Sequence, residues 1–136
     1  MKLMLKDIMP EDNTIIEGCD GPGGEKNLGY CTLGAIFAKQ PKSFGFELIA
    51  TLDLDTYRSY TFNERAVWRR LSDGTLWTAR TAGCSCPQRY EEVDALDRLF
   101  NLDEVREEYK KAIAAGTGWP TPQEWAEFRV AVEAAR

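Results

Sequence analysis

The run from Phe44 to Thr81 limits the fold more than any other part of this chain. "FGFELIATL", "YRSYTFN", "ERAVWRRL" and "TLWTART" are rich in aromatic and β-branched residues, and several of them alternate. Between the last two stands "SDG", and glycine after aspartate tolerates the positive φ that tight hairpin turns require. A two-residue Asp73-Gly74 loop sets Arg70 opposite Trp77 and Trp68 opposite Ala79, so that Trp68, Arg70 and Trp77 share one face. The expected unit is an antiparallel meander of three to five strands over about residues 44–81.

The flanks read differently. From Pro87 onward the pattern is helical. Tyr90, Val93, Leu96 and Phe100 recur at intervals of three and four, which makes one apolar stripe. A second helix has Asn101 as cap, Glu104 at the capping-box position, Leu102, Val105, Tyr109, Ala112 and Ile113 as its buried face, and Gly116 as its stop. A third opens on "TPQE", with Thr121 as cap, Pro122 at the first helical position and Glu124 closing the box. Trp125, Phe128 and Val132 then point inward. Residues 1–43 read as an irregular segment: "GCDGPGGEKNLGYC" is a long loop, and "TLGAIFAKQ" is a short helix or strand that Pro41 ends. The fold class is therefore α+β, a small antiparallel β-sheet packed by two or three C-terminal α-helices, in a single domain over 1–136.

Composition narrows the function classes. The chain has 136 residues and no histidine, which removes serine-histidine and cysteine-histidine catalysis and histidine metal sites together. No apolar run approaches the roughly 20 residues that span a bilayer, and Lys6 and Asp7 break the opening before a signal-peptide core forms. A cytoplasmic location is the expectation, with no membrane partner. Oligomeric state is not readable from the sequence.

Cys84 and Cys86 flank Ser85 just before Pro87. With Cys19 and Cys31 they supply four thiolates for zinc, but spacings of eleven residues and of one differ from the usual pair of knuckles. A second reading makes Cys86 a thiolate at a helix N-cap, which would suit a thiol-dependent enzyme. The third, and the better fit, makes the pair small packing residues at a strand-to-helix corner, with no cofactor.

"FNERAVWRRLSDGTLWTARTAGCSCPQRYE", residues 62–91, resembles small uncharacterised proteins encoded by actinobacterial viruses. Val67-Trp68, Asp73-Gly74, Leu76-Trp77 and Gly83 through Pro87 carry the resemblance, which covers less than a quarter of the chain. Arg89 and Tyr90 depart from the proline and phenylalanine common at that point. The resemblance implies a bacteriophage origin and no particular activity, cofactor or catalytic residue.

Two charged surfaces are candidates for binding. The net charge is −5, and residues 88–136 hold eleven acids against seven basic side chains. Glu91, Glu92, Asp94, Asp97, Asp103, Glu104, Glu107 and Glu108 make an acidic helical face suited to a basic groove on a host bacterial protein, with Trp119 and Trp125 as anchors. The opposing possibility is a solvated face, with Trp119 stapling the last helix. Arg65, Arg69, Arg70 and Arg80 beside Trp68 and Trp77 are the candidate nucleic-acid surface. The acidic charge and the viral resemblance favour a non-enzymatic protein that binds and modulates or inhibits a host protein, in host takeover or anti-defence.

Overall fold

The computed structural model describes residues 1–9, 32–56, 61–84 and 89–136. Five antiparallel strands form one sheet: β1 (Lys2–Met4), β2 (Phe46–Asp53), β3 (Thr61–Arg70), β4 (Leu76–Cys84) and β5 (Ala95–Arg98), in the order β1-β5-β4-β3-β2. Helix α1 (Leu33–Lys39) covers one face, while α2 (Asp103–Ala114) and α3 (Pro122–Ala134) cover the other. This is an α+β fold with two C-terminal helices. Among the described residues no helix is long and apolar enough to cross a membrane.

Because strand side chains alternate, a strand covered on both faces must serve two cores. In β3, Ala66 and Trp68 join the α1 side, where Phe37 lies 4.9 Å from Trp68 and Tyr90 lies 5.5 Å from it, ring centre to ring centre. Val67 joins the other side with Leu76, Leu99, Leu102, Val105, Phe128 and Val132. Strand β2 serves both cores by a different device. Leu48 pairs with Trp68 and Ala50 with Val67, so Ile49 is an extra residue, a β-bulge. Phe46, before the bulge, faces α1; Leu52, after it, faces α2 and α3 although both numbers are even.

The β3–β4 hairpin closes with a four-residue loop. Arg70 N–H donates to Thr75 O and Gly74 N–H donates to Arg70 O, both at 2.8 Å, and Gly74 takes φ +73°. Trp68 therefore pairs with Trp77 rather than Ala79, a shift of two residues from the expected register. The shift is even, so Trp68, Arg70 and Trp77 still share a face; both tryptophans are buried in the α1-side core.

The expected helix after Pro87 is replaced by a turn and a strand. Tyr90 has φ +68°, which stops a right-handed helix, and β5 pairs with β4 and β1. Leu96 is buried as expected, but on a strand, and Phe100 is exposed. In the N-terminal region, expected to be irregular, β1 pairs with β5 and "LGAIFAK" is helix α1, capped by the Thr32 hydroxyl, which accepts from Ala35 N–H. At α2, Asn101 accepts from Asp103 N–H but does not close a box with Glu104. The Thr121–Glu124 capping box on α3 forms as read.

Helix α1 reaches the sheet through one glycine. A Cβ on Gly34 would stand 2.0 Å from the Tyr90 carbonyl oxygen and 2.3 Å from that of Val93, both backbone atoms. Gly34→Ala is expected to cost about 3 kcal/mol by displacing α1 from the 90–93 turn, measured as a lower denaturation midpoint at unchanged urea slope. The hairpin loop has its own signature. Asp73 accepts from the Thr75 hydroxyl at 2.6 Å and from its N–H at 3.0 Å, which holds the carboxyl below its ordinary value of 3.8. This contribution is complete above the unfolded pKa and is lost as pH falls through the folded one. A carboxyl NMR titration should place the Asp73 midpoint below 3.8, and Thr75→Val should raise it.

Candidate functional site

Odd-numbered residues of β3 and even-numbered residues of β4 face α2, which sets Arg65 directly opposite Arg80. Like charges in such a pair repel, and α2 resolves the conflict. The Glu108 carboxylate bonds Arg65 and lies 3.8 Å from the Arg80 guanidinium, while Glu104, one helical turn earlier, lies 3.5 Å from Arg65. Arg65 is only 8% exposed. Its Nε and the second oxygen of Glu108 are buried without a hydrogen-bond partner among the described residues, so the pair is costly to bury and costlier to break.

A cavity lies on each side of this clamp. One, of about 420 Å³, is lined by Asp55, Asn63, Arg80, Glu108 and Lys111 among others. The other, of about 200 Å³, is lined by Arg65, Thr78, Asp97, Phe100, Asn101 and Glu104 among others. Phe100 is 62% exposed at this second cavity, with the Arg98 guanidinium 5.1 Å from its ring centre. Asp97, Asp103 and Glu104 are exposed as well. The end of β5 and the start of α2 thus present an accessible aromatic ring at a cavity whose lining sets the carboxylates of Asp97 and Glu104 beside the guanidinium groups of Arg65 and Arg98.

The acids expected on one helical face are divided. Glu91, Glu92 and Asp94 lie in the segment before β5, Asp97 lies on β5, and only Asp103, Glu104, Glu107 and Glu108 lie on α2. Glu108 is turned toward the sheet, and Glu107 lies 3.4 Å from Lys110. Trp125 is half-buried and stacked on Tyr109 at 5.1 Å, whereas Trp119 is 43% exposed. The candidate Trp and Arg hairpin surface is divided: Trp68 and Trp77 are core residues, Arg65 and Arg80 meet Glu108, Arg69 bonds Glu47, and Arg70 is half-buried at the end of β3. Of the four cysteines, Cys84 lies on β4 opposite Thr61, while Cys19, Cys31 and Cys86 fall outside the described residues. Phe100 was missed as a surface residue because its spacing from Leu96 and Val93 fits a helix as well as a strand end.

An antiparallel sheet with one short helix on one face and two C-terminal helices on the other defines the class structurally as a small α+β domain. Residues 36–134 match the family model described as a domain of unknown function, DUF7574, and the chain belongs to that family. No curated protein and no solved structure matches the chain.

The clamp is tested by a double-mutant cycle. Glu108→Leu leaves the buried Arg65 with only the exposed Glu104 and is expected to cost about 3 kcal/mol. Joining it to Arg65→Met should recover most of that loss. Additive losses in urea denaturation would show that the two side chains act independently.

Proposed function

We propose that this protein is a non-enzymatic, virus-encoded binding protein that acts in the host bacterial cytoplasm by docking on, and modulating or inhibiting, a host protein. The observation that carries the reading is Phe100, held open to solvent at a cavity it shares with Asp97 and Glu104. An exposed ring beside Arg98, with the exposed carboxylates of Asp97 and Glu104 on the same cavity, suits a partner with an apolar pocket and basic side chains around it. The ring supplies contact energy, and the acids supply orientation and rate of encounter. The resemblance of residues 62–91 to actinobacterial virus proteins and the net charge of −5 support the same reading. Asp97, Asp103 and Glu104 remain in the contact proposed from sequence, joined by Phe100. Glu108 acts from beneath by holding α2 to the sheet, and Trp119 lies beyond the other end of α2.

The test is affinity capture from an actinobacterial lysate by the immobilised protein, followed by titration of the captured protein in pure form. Phe100→Ala is expected to weaken it by about 2 kcal/mol, and the charge reversals Asp97→Lys and Glu104→Lys to slow association most strongly at low salt. Phe100 and Asp97 are exposed, so circular dichroism should be unchanged in their variants; Glu104→Lys also takes a carboxylate from Arg65, so its denaturation midpoint is measured beside its affinity. A partner whose affinity is indifferent to all three variants would rule out this surface.

A further inference from the structure

The α1 face holds a cavity that the acidic rim around Phe100 does not use. It measures about 260 Å³ and lies between α1, β2 and β3, with Ala35, Ala38, Leu48, Ala66 and Trp68 as its apolar lining and Lys39, Thr51, Glu64, Arg89 and Tyr90 as its polar one. Its polar wall is built rather than incidental. The Tyr90 hydroxyl donates to Glu64 Oε1 at 2.7 Å, Arg89 bonds Glu64 Oε2, and the Tyr90 N–H donates to the buried Thr81 hydroxyl at 2.9 Å. Burial, then the charge of Glu64 and the bond to it, push the Tyr90 hydroxyl well up from its ordinary value, so it stays a donor. Both oxygens of Glu64 are therefore occupied.

What remains is a surplus of donors and positive charge. Lys39 is exposed, with no ion-pair partner among the described residues, and Arg89 is half-exposed with N–H groups beyond those that reach Glu64. Two cations against one carboxylate leave the lining with a net charge of +1 in a chain whose total is −5. Trp68 forms part of the lining, and its buried Nε1–H has no acceptor among the described residues. A neighbouring cavity shares Lys39 and Leu48 and adds Lys42 and Glu47, whose carboxylate is bonded to Arg69. An apolar chamber below the size of a drug site, with donors and cations at its edge, selects a compact apolar anion.

We propose that this cavity binds a small apolar monocarboxylate, with its hydrocarbon body over Ala35, Ala38, Ala66 and Trp68 and its carboxylate at the rim that carries Lys39 and Arg89. The site is independent of the protein-docking surface, because the two lie on opposite faces of the sheet.

The experiment titrates the full-length, 15N-labelled protein with phenylacetate and with its neutral analogue phenylacetamide, following the Trp68 indole resonance and the Leu48 amide. Phenylacetate is expected to give saturable shifts at both, phenylacetamide to bind about tenfold or more weakly, and Lys39→Gln to erase that preference. Ala38→Leu, which fills the chamber, should abolish the shifts; Lys39 is exposed, so its variant keeps the test decisive if the filled one fails to fold. No saturable shift at millimolar ligand, equal binding of acid and amide, or binding that survives a folded Ala38→Leu protein would each overturn the proposal.

Discussion

Two arginines face each other across the central hairpin, and the packing of the second layer depends on how that repulsion is cancelled. Arg65 and Arg80 are cross-strand partners, and the carboxylate that compensates them comes from Glu108 on α2, 43 residues further along the chain than Arg65. The position of α2 is thereby set by charge as well as by apolar contact. Leu102, Val105 and Tyr109 bury one stripe of the helix, while Glu104 and Glu108 align with the arginines. Neither set of residues specifies the docking alone. An apolar stripe can slide or rotate, but a buried guanidinium without its acid is strongly destabilising.

The same clamp explains why two surfaces that looked functional in the sequence are partly internal. The arginines of the hairpin and the acids of α2 were separate candidates for nucleic acid and for a basic protein. In the fold their inner members neutralise each other, which leaves Asp97 and Glu104 as the exposed acids at the Phe100 cavity. Charge runs in sequence report the number of ionisable groups, whereas recognition depends on which ones stay solvated. Here the difference is made by strand alternation in β3 and β4 and by the four-residue spacing of Glu104 and Glu108.

Features written in local chemistry were legible. The Thr121–Glu124 capping box needs only four consecutive residues, and it forms as read; the meander needs only strand-like runs and turn residues. Features settled by distant contacts were not. Tyr90, Val93 and Leu96 are spaced as on a helix, yet the segment is a turn and a four-residue strand, because β4 and β1 offer open edges on either side of β5 and Gly34 admits the 90–93 carbonyls beside α1. The hairpin register moved because Gly74 ends a four-residue loop instead of forming half of a two-residue turn. The bulge at Ile49 leaves no mark in composition at all. The acids of the candidate surface were legible as charges, but Phe100 was hidden by the same helical spacing that concealed β5.

Strand β3 ties the two proposed sites together. Glu64 faces the α1 cavity, where Tyr90 and Arg89 hold it, and Arg65, the next residue, faces α2 and its acids. A one-residue slip of β3 would exchange them, placing a carboxylate against Glu104 and Glu108 and a guanidinium beside Arg89. It would also turn Val67 toward α1 and Trp68 toward α2 and α3, where the present packing accommodates a valine. Electrostatic and steric penalties thus oppose the same slip on both faces at once. This is why a strand carrying adjacent charges of opposite sign, an unpromising composition for the centre of a sheet, can occupy that position in a single register.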